Sequence, residues 1–115
     1  MGVKAYLKQG KPLLFDGAMG TYFAARPGRA AERCELANLE HPEEVSAIHR
    51  AYLEAGCRAI KTNTFSVGVD LAQGKHALAR QIIAEGARLA REAAEPFGAF
   101  VFADLGPAPQ DKEHS

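Results

Sequence analysis

Three short apolar stretches of this 115-residue chain each run into polar residues that can bind or orient a ligand. Leu13–Phe15 ends at Asp16, the Ala59–Ile60 stretch runs into Lys61, Thr62, Asn63 and Thr64, and Ala99–Ala103 closes on Asp104. A carboxylate accepts hydrogen bonds and pairs with cations, whereas threonine hydroxyls and an asparagine amide both donate and accept. Such a set suits a small polar molecule. Two glycines three apart, Gly17 and Gly20, leave the loop after Asp16 short of side chains. The same residues also suit plain structural work, in which Asp16 and Asp104 cap the next helix and the Thr62–Thr64 run forms a turn. Spacing alone leaves both readings open.

The other reactive side chains are scattered. Cys34, Cys57, His41, His49 and His76 form no CxxC or HxxxH pair, so a metal site built from them is the weaker reading. Cys57 reads as a buried thiol and Cys34 as a loop thiol, both reduced. His49 follows Ile48 on a helix and reads as a surface or flank residue with no catalytic role. Met19 is expected to lie under the opening loop, and Tyr22 and Phe23 suit either a pocket wall or the core.

The elements that would position these groups follow from periodicity. Residues 3–9 form a short helical turn closed by Gly10 and Pro12. The run Leu13–Phe15 reads as a strand buried on both faces, as in parallel sheets. Residues 17–39 show no sustained period and read as a long irregular loop. "HPEEVSAIHRAYLEAG" is the clearest helix, with Pro42 at its first position, Glu43 and Glu44 at the positive end of its dipole, and Gly56 as its stop. Val45, Ile48, Tyr52 and Ala55 share one face. "KHALARQIIAEGARLAREAAE" is a second helix, with Leu78, Ile82, Leu89 and Ala93 on one face, and Pro96 and Gly98 end it. The order is therefore β-α-β-α-β. Strands joined through helices run parallel with right-handed crossovers, which brings Asp16, the Thr62–Thr64 run and Asp104 to the same end of the sheet. That end is where parallel α/β folds bind ligands.

Bulk properties narrow the partner. With 47% hydrophobic and 24% charged residues, the chain has the composition of a single globular domain that buries a core. Fourteen Lys and Arg balance fourteen Asp and Glu without forming a basic stripe, which argues against nucleic acid. No run approaches the roughly 18 apolar residues of a membrane span, and "MGVKAYLKQGK" lacks a signal-peptide core, so the cytoplasm is the expected compartment.

The strings "FDGAMGT", "CELANLEHPEEVSAIHRAYLEAG", "KTNTF" and "ADLGP", in this order and at these intervals, resemble the amino-terminal part of the homocysteine S-methyltransferase family. The resemblance implies an α/β fold in which this chain is the first three βα units of a (βα)8 TIM barrel, with parallel strands and the barrel incomplete. Residues 1–115 would then be an amino-terminal portion of one methyltransferase domain, with no second domain. It implies transfer of a methyl group to the homocysteine thiol, as in methionine biosynthesis. Carried over by position, Asp16 and Gly17 would hold the amino-acid end of homocysteine, with Thr62, Asn63 and Thr64 lining the pocket and Glu35 and Asn38 on the loop over its mouth.

In the family the thiol binds a zinc ion held by cysteines of later strands, and neither Cys34 nor Cys57 occupies those positions. A complete barrel needs about 250 residues. The resemblance thus implies zinc in the complete domain with no ligand in this chain, and a methyl donor such as a methylated folate, methylcobalamin or S-methylmethionine. The polar ending "QDKEHS" falls where the next loop would begin. Unpaired sheet edges would favour self-association. The alternative is a non-catalytic α/β small-molecule module of Rossmann-like layout, or an inactive remnant. "DGAMG" lacks a GxGxxG, which counts against a phosphate loop.

Overall fold

The computed structural model describes residues 2–107. The ending at residues 110–115 lies outside the described residues. Local signals account for the two long helices. Helix α1 spans Val3–Lys8, α2 Met19–Ala24, α3 Ala37–Glu40, α4 Pro42–Glu54, α5 Val67–Ala72 and α6 His76–Ala94, with strands β1 at Ala59–Lys61 and β2 at Phe100–Phe102. Short 3-10 turns at Cys34–Leu36 and Glu95–Phe97 complete the order. Pro42 opens α4 with Glu43 and Glu44 in its first turn, and Gly56, at a φ of 113°, follows its end. Gly98 takes the left-handed conformation that turns the chain from α6 toward β2.

Strands β1 and β2 pair in parallel, with Ala59 opposite Phe100, Ile60 opposite Val101 and Lys61 opposite Phe102. The first expected strand is reduced to one parallel bridge, Phe15 to Ala59. It is held by Arg58 and Ala59 donating to the Leu14 carbonyl and by Asp16 N–H donating to the Ala59 carbonyl. Burial of this segment on both faces is not observed: Leu14 is 55% and Phe15 47% exposed. Helices α4 and α6 cover one side of the sheet. Ile60 and Val101 meet Leu53, Ala90, Ala93 and Ala94 there. Alternation along the strands sends Ala59, Lys61, Phe100 and Phe102 to the other side, where Phe15 touches Phe102 with ring centroids 5.1 Å apart and Tyr6 of α1 meets Phe100 edge-on.

A second core joins Phe23, Ala37, Val45, Ile48 and Leu89, with Met19, Cys34 and Tyr52 against it. Met19 and Phe23 thus belong to the packing beneath the opening loop, while Tyr22 lies outside, against Tyr52, with centroids 5.5 Å apart. Residues 17–39 are not an irregular loop. They hold α2, a 3-10 turn and the first residues of α3, too short to show a period in sequence. Helix α5, six residues long, is likewise too short to show a period in sequence. Charge pairs strap this segment down. Arg29 donates to both Glu44 carboxylate oxygens and to Glu32, Arg26 donates to Glu44, and Arg33 donates to both Asp70 oxygens and to Ser66.

Among the described residues no helix is long and apolar enough to cross a membrane.

Candidate functional site

A cavity of about 350 Å3 lies at the carboxyl ends of the strands, lined by Ala18, Met19, Gly20, Cys34, Glu35, Lys61, the Thr62–Phe65 run and Asp104. The convergence expected from the parallel order is present. Its chemistry differs from a simple ring of ligand-binding groups, because most of the polar side chains are used by one another.

Thr62 and Thr64 show this most directly. The Asp104 N–H donates to Thr62 Oγ1 at 3.2 Å, the two hydroxyls lie 2.8 Å apart, and Thr64 Oγ1 donates to the Asp104 carbonyl at 2.7 Å. The Thr64 proton is committed to the carbonyl, so the Thr62 hydroxyl is the donor between the two. A closed circuit results. Both hydroxyl protons are consumed, and the backbone of Asp104 is fixed to the end of β1.

Asn38 and Asn63 are equally occupied. Asn38 Nδ2 donates to the carbonyls of Asn63 and Ile82, at 2.8 and 3.1 Å. Asn63 Nδ2 donates to Asn38 Oδ1 and to the Cys34 carbonyl, while Asn63 Oδ1 accepts the Cys34 thiol. Asn38 is 1% exposed and does not line the cavity. It ties α3, the end of β1 and α6 together. Gly86 makes this possible, since a Cβ there would stand 2.8 Å from Asn38 Nδ2 and 3.0 Å from Thr64 Cγ2.

Glu35 borders the cavity, its Oε2 accepting the Ser66 N–H at 3.2 Å and its Oε1 lying 3.7 Å from Arg33 Nε. Gly17 does not line the cavity; a Cβ on it would stand 2.7 Å from Tyr52 Oη, so its smallness admits the Tyr52 ring.

Asp16 is the exception, although it does not itself line the cavity. One oxygen, Oδ2, accepts the Lys61 N–H at 3.2 Å, whereas Oδ1 is buried and has no hydrogen-bond partner among the described residues. Lys61 Nζ stands 4.0 Å from it. Burial raises the Asp16 carboxyl above the usual carboxylate range, and the Lys61 N–H and ammonium only partly offset this. Asp16 does not cap the following helix, whose N-cap is Ala18 with no side-chain bond. The plain capping reading of Asp16 therefore fails.

The thiols and histidines are placed apart. Cys34 borders the cavity, and burial, with Glu35 nearby, pushes its thiol up to about 12. Cys57 is half-buried, its thiol donating to the Phe15 carbonyl. The expected contrast of a buried Cys57 and a loop Cys34 does not hold. Each thiol is engaged within the chain, Cys34 with Asn63 Oδ1 and Cys57 with the Phe15 carbonyl, and neither belongs to a cluster of three metal-ligating groups among the described residues. The metal-ligating groups that do gather among the described residues are Glu32, Glu40 and His41 on the surface. Arg29 and Glu44 already engage that cluster.

His49 departs most from expectation. It is completely buried on α4, with no partner at either ring nitrogen among the described residues, and desolvation pushes it down to about 4. It is a neutral core residue. The α4 face that carries Val45 and Ile48 is wide enough to include it, a consequence of helical spacing at i+4 from Val45.

Lys61 also lines the cavity; the sequence places it in the polar run that ends β1, without a role in the pocket.

The homocysteine S-methyltransferase family model matches residues 13–111. Methionine synthase of Mycobacterium tuberculosis is 36% identical over 107 residues, which is 80% of this chain and 9% of that protein. The crystal structure of the homocysteine methyltransferase MmuM from Escherichia coli, in its metallated form, matches with a TM-score of 0.68 at 28% identity. That match covers 89% of this chain and 40% of MmuM, so the chain spans less than half the length of either relative. With the site and the fold both in place, these matches show that the chain belongs to the homocysteine S-methyltransferase family.

Proposed function

We propose that this chain supplies the amino-terminal part of a homocysteine-binding methyltransferase domain, the first three βα units of a (βα)8 barrel. The observation that carries the reading is the unpaired oxygen of Asp16, which lies 4.0 Å from the ammonium of Lys61, a residue that lines the cavity of about 350 Å3 at the strand ends. A buried carboxylate oxygen without a donor is costly to leave unmade, and an ammonium group of an amino acid is its natural complement. The side of the sheet away from α4 and α6, with Phe15 and Phe102 in contact, is the side that further strands of a barrel would cover.

The division of roles is uneven. Asp16 orients homocysteine, Glu35 and the Thr62–Thr64 segment shape the walls, and Asn38 with Gly17 acts by holding that frame. Zinc, which makes the substrate thiol a thiolate in such enzymes, is held by residues other than Cys34 and Cys57. The methyl donor, a methylated folate, methylcobalamin or S-methylmethionine, is chosen outside these elements. The cytoplasm, where thiols stay reduced, is the compartment this chemistry suits.

Residues 1–115 alone bind homocysteine weakly and transfer no methyl group. Isothermal titration with homocysteine, with and without zinc, tests the first statement, and an assay with S-methylmethionine or a methylated folate tests the second. Weak binding that does not depend on zinc supports the reading; robust turnover by this chain alone overturns it. A second reading, an inactive remnant, draws on the internally satisfied Thr62, Asn63 and Thr64. It requires no homocysteine binding at all.

A further inference from the structure

Lys61 is the single cation among the described residues that line the cavity. Its Nζ makes no hydrogen bond to another described residue; the nearest acceptor given by the structure is Asp16 Oδ1, at 4.0 Å. The side chain is 36% exposed. Its own backbone N–H holds the other Asp16 oxygen. One residue thus fixes the carboxylate through the main chain and places its own ammonium group 4.0 Å from the unpaired oxygen.

We propose that Lys61 is a positioning and specificity residue that reads the α-carboxylate of an amino-acid ligand. In the absence of ligand its ammonium partly neutralises Asp16. When a zwitterion enters, Lys61, which lines the cavity while Asp16 does not, swings its ammonium to the ligand carboxylate, and the space it leaves admits the ligand ammonium to Asp16 Oδ1. The two charges of the head group then meet two opposite charges, Asp16 and Lys61, and the ligand side chain is left to extend along the cavity. A ligand lacking either charge leaves Asp16 or Lys61 without its partner in a partly desolvated site. The proposal rests on the homocysteine-pocket reading above and deepens it.

The test is titration calorimetry on the full chain and on Lys61→Met and Lys61→Arg, with L-homocysteine, its decarboxylated counterpart 3-aminopropane-1-thiol, and thiol-free L-2-aminobutyrate. The unaltered chain should prefer homocysteine over the thiol amine by about tenfold or more, the range of one charge-assisted hydrogen bond. Lys61→Met should lose that preference, binding homocysteine more weakly and the thiol amine at least as tightly as the unaltered chain because the competing ammonium at Asp16 is gone, and Lys61→Arg should keep it. A Lys61→Met protein that retains the full preference overturns the inference and leaves the pocket reading standing. Equal binding of L-2-aminobutyrate and homocysteine, both dependent on Lys61, would sustain the inference and remove the thiol from the pocket reading. No binding of any amino acid overturns both. Because Lys61 is partly exposed, an unchanged urea midpoint for Lys61→Met confirms that the fold is intact in the comparison.

Discussion

Asn38 and Asn63 hold each other across the site: Asn63 Nδ2 donates to Asn38 Oδ1 at 3.0 Å, and Asn38 Nδ2 donates back to the Asn63 carbonyl at 2.8 Å. The pair is buried. Removing one amide orphans groups on the other, at about 1–3 kcal/mol each. Asn38→Ala and Asn63→Ala are each expected to lose about 2–3 kcal/mol in urea denaturation. The double variant should lose less than the sum. Strict additivity would show that the two amides are not coupled.

The Arg33–Asp70 pair, 2.6 Å at its shortest, secures the segment before the cavity to α5. Arg33→Met leaves a nearly buried carboxylate unpaired, although solvent reaches the Arg33 side. A loss of about 2 kcal/mol is expected, below the range for a fully buried pair. The guanidinium holds Asp70 below the usual carboxylate range. Its stabilisation is therefore complete above the unfolded value of 3.8 and disappears as pH falls through the lower folded value. The measurement is the urea midpoint of both proteins between pH 7 and pH 3, and an equal acid response in the two would refute the assignment.

His49 should make the protein acid-sensitive in a higher window. Its folded value of about 4 lies below the unfolded 6.5, so the unfolded chain takes up the proton first and stability falls as pH drops from 6.5 to 4. The full effect is about 3 kcal/mol. Asp16, whose folded value is raised, works in the opposite sense, losing stability as pH rises from 3.8. Comparing the chain with His49→Phe isolates the histidine: the variant should show a flatter profile between pH 4 and 6.5. Parallel profiles would contradict the buried neutral ring.

Gly17→Ala brings a methyl group within 2.7 Å of Tyr52 Oη. Either the loop after Asp16 or the tyrosine must move, at a cost of about 1–3 kcal/mol. Tyr52→Phe removes the nearest atom and leaves ring carbons at 3.2 Å, so it should restore part of the loss. Thermal unfolding of the single and double variants decides the matter. An absence of rescue would place the cause of the damage elsewhere.

Leu14, Phe15, Phe65 and Leu105 are exposed, and among the described residues no strand pairs with the outer edge of β2. Such a surface favours association. Sedimentation velocity should show species larger than a monomer, shifting toward monomer when Phe15 is changed to Lys. A sharp monomer at all concentrations would rule this out.

The sequence by itself determined the parts governed by near neighbours. Pro42, the acidic first turn and Gly56 delimit α4, and apolar spacing reveals α6, because helical periodicity and capping act over a few residues. Parallel order then brought Asp16, the Thr62–Thr64 run and Asp104 to one end, since crossover helices permit little else. Tertiary structure decided which of those groups remain free. Asn38 and Thr64 find their partners 25 to 44 positions away, and no local pattern reports such pairings. The same distance effect buried His49 and left the Leu13–Phe15 strand with a single bridge, because burial depends on what packs against a segment. Asp16 was legible as a carboxylate at a strand end; that it keeps one oxygen unpaired, with Lys61 beside it, was settled only when the strands met.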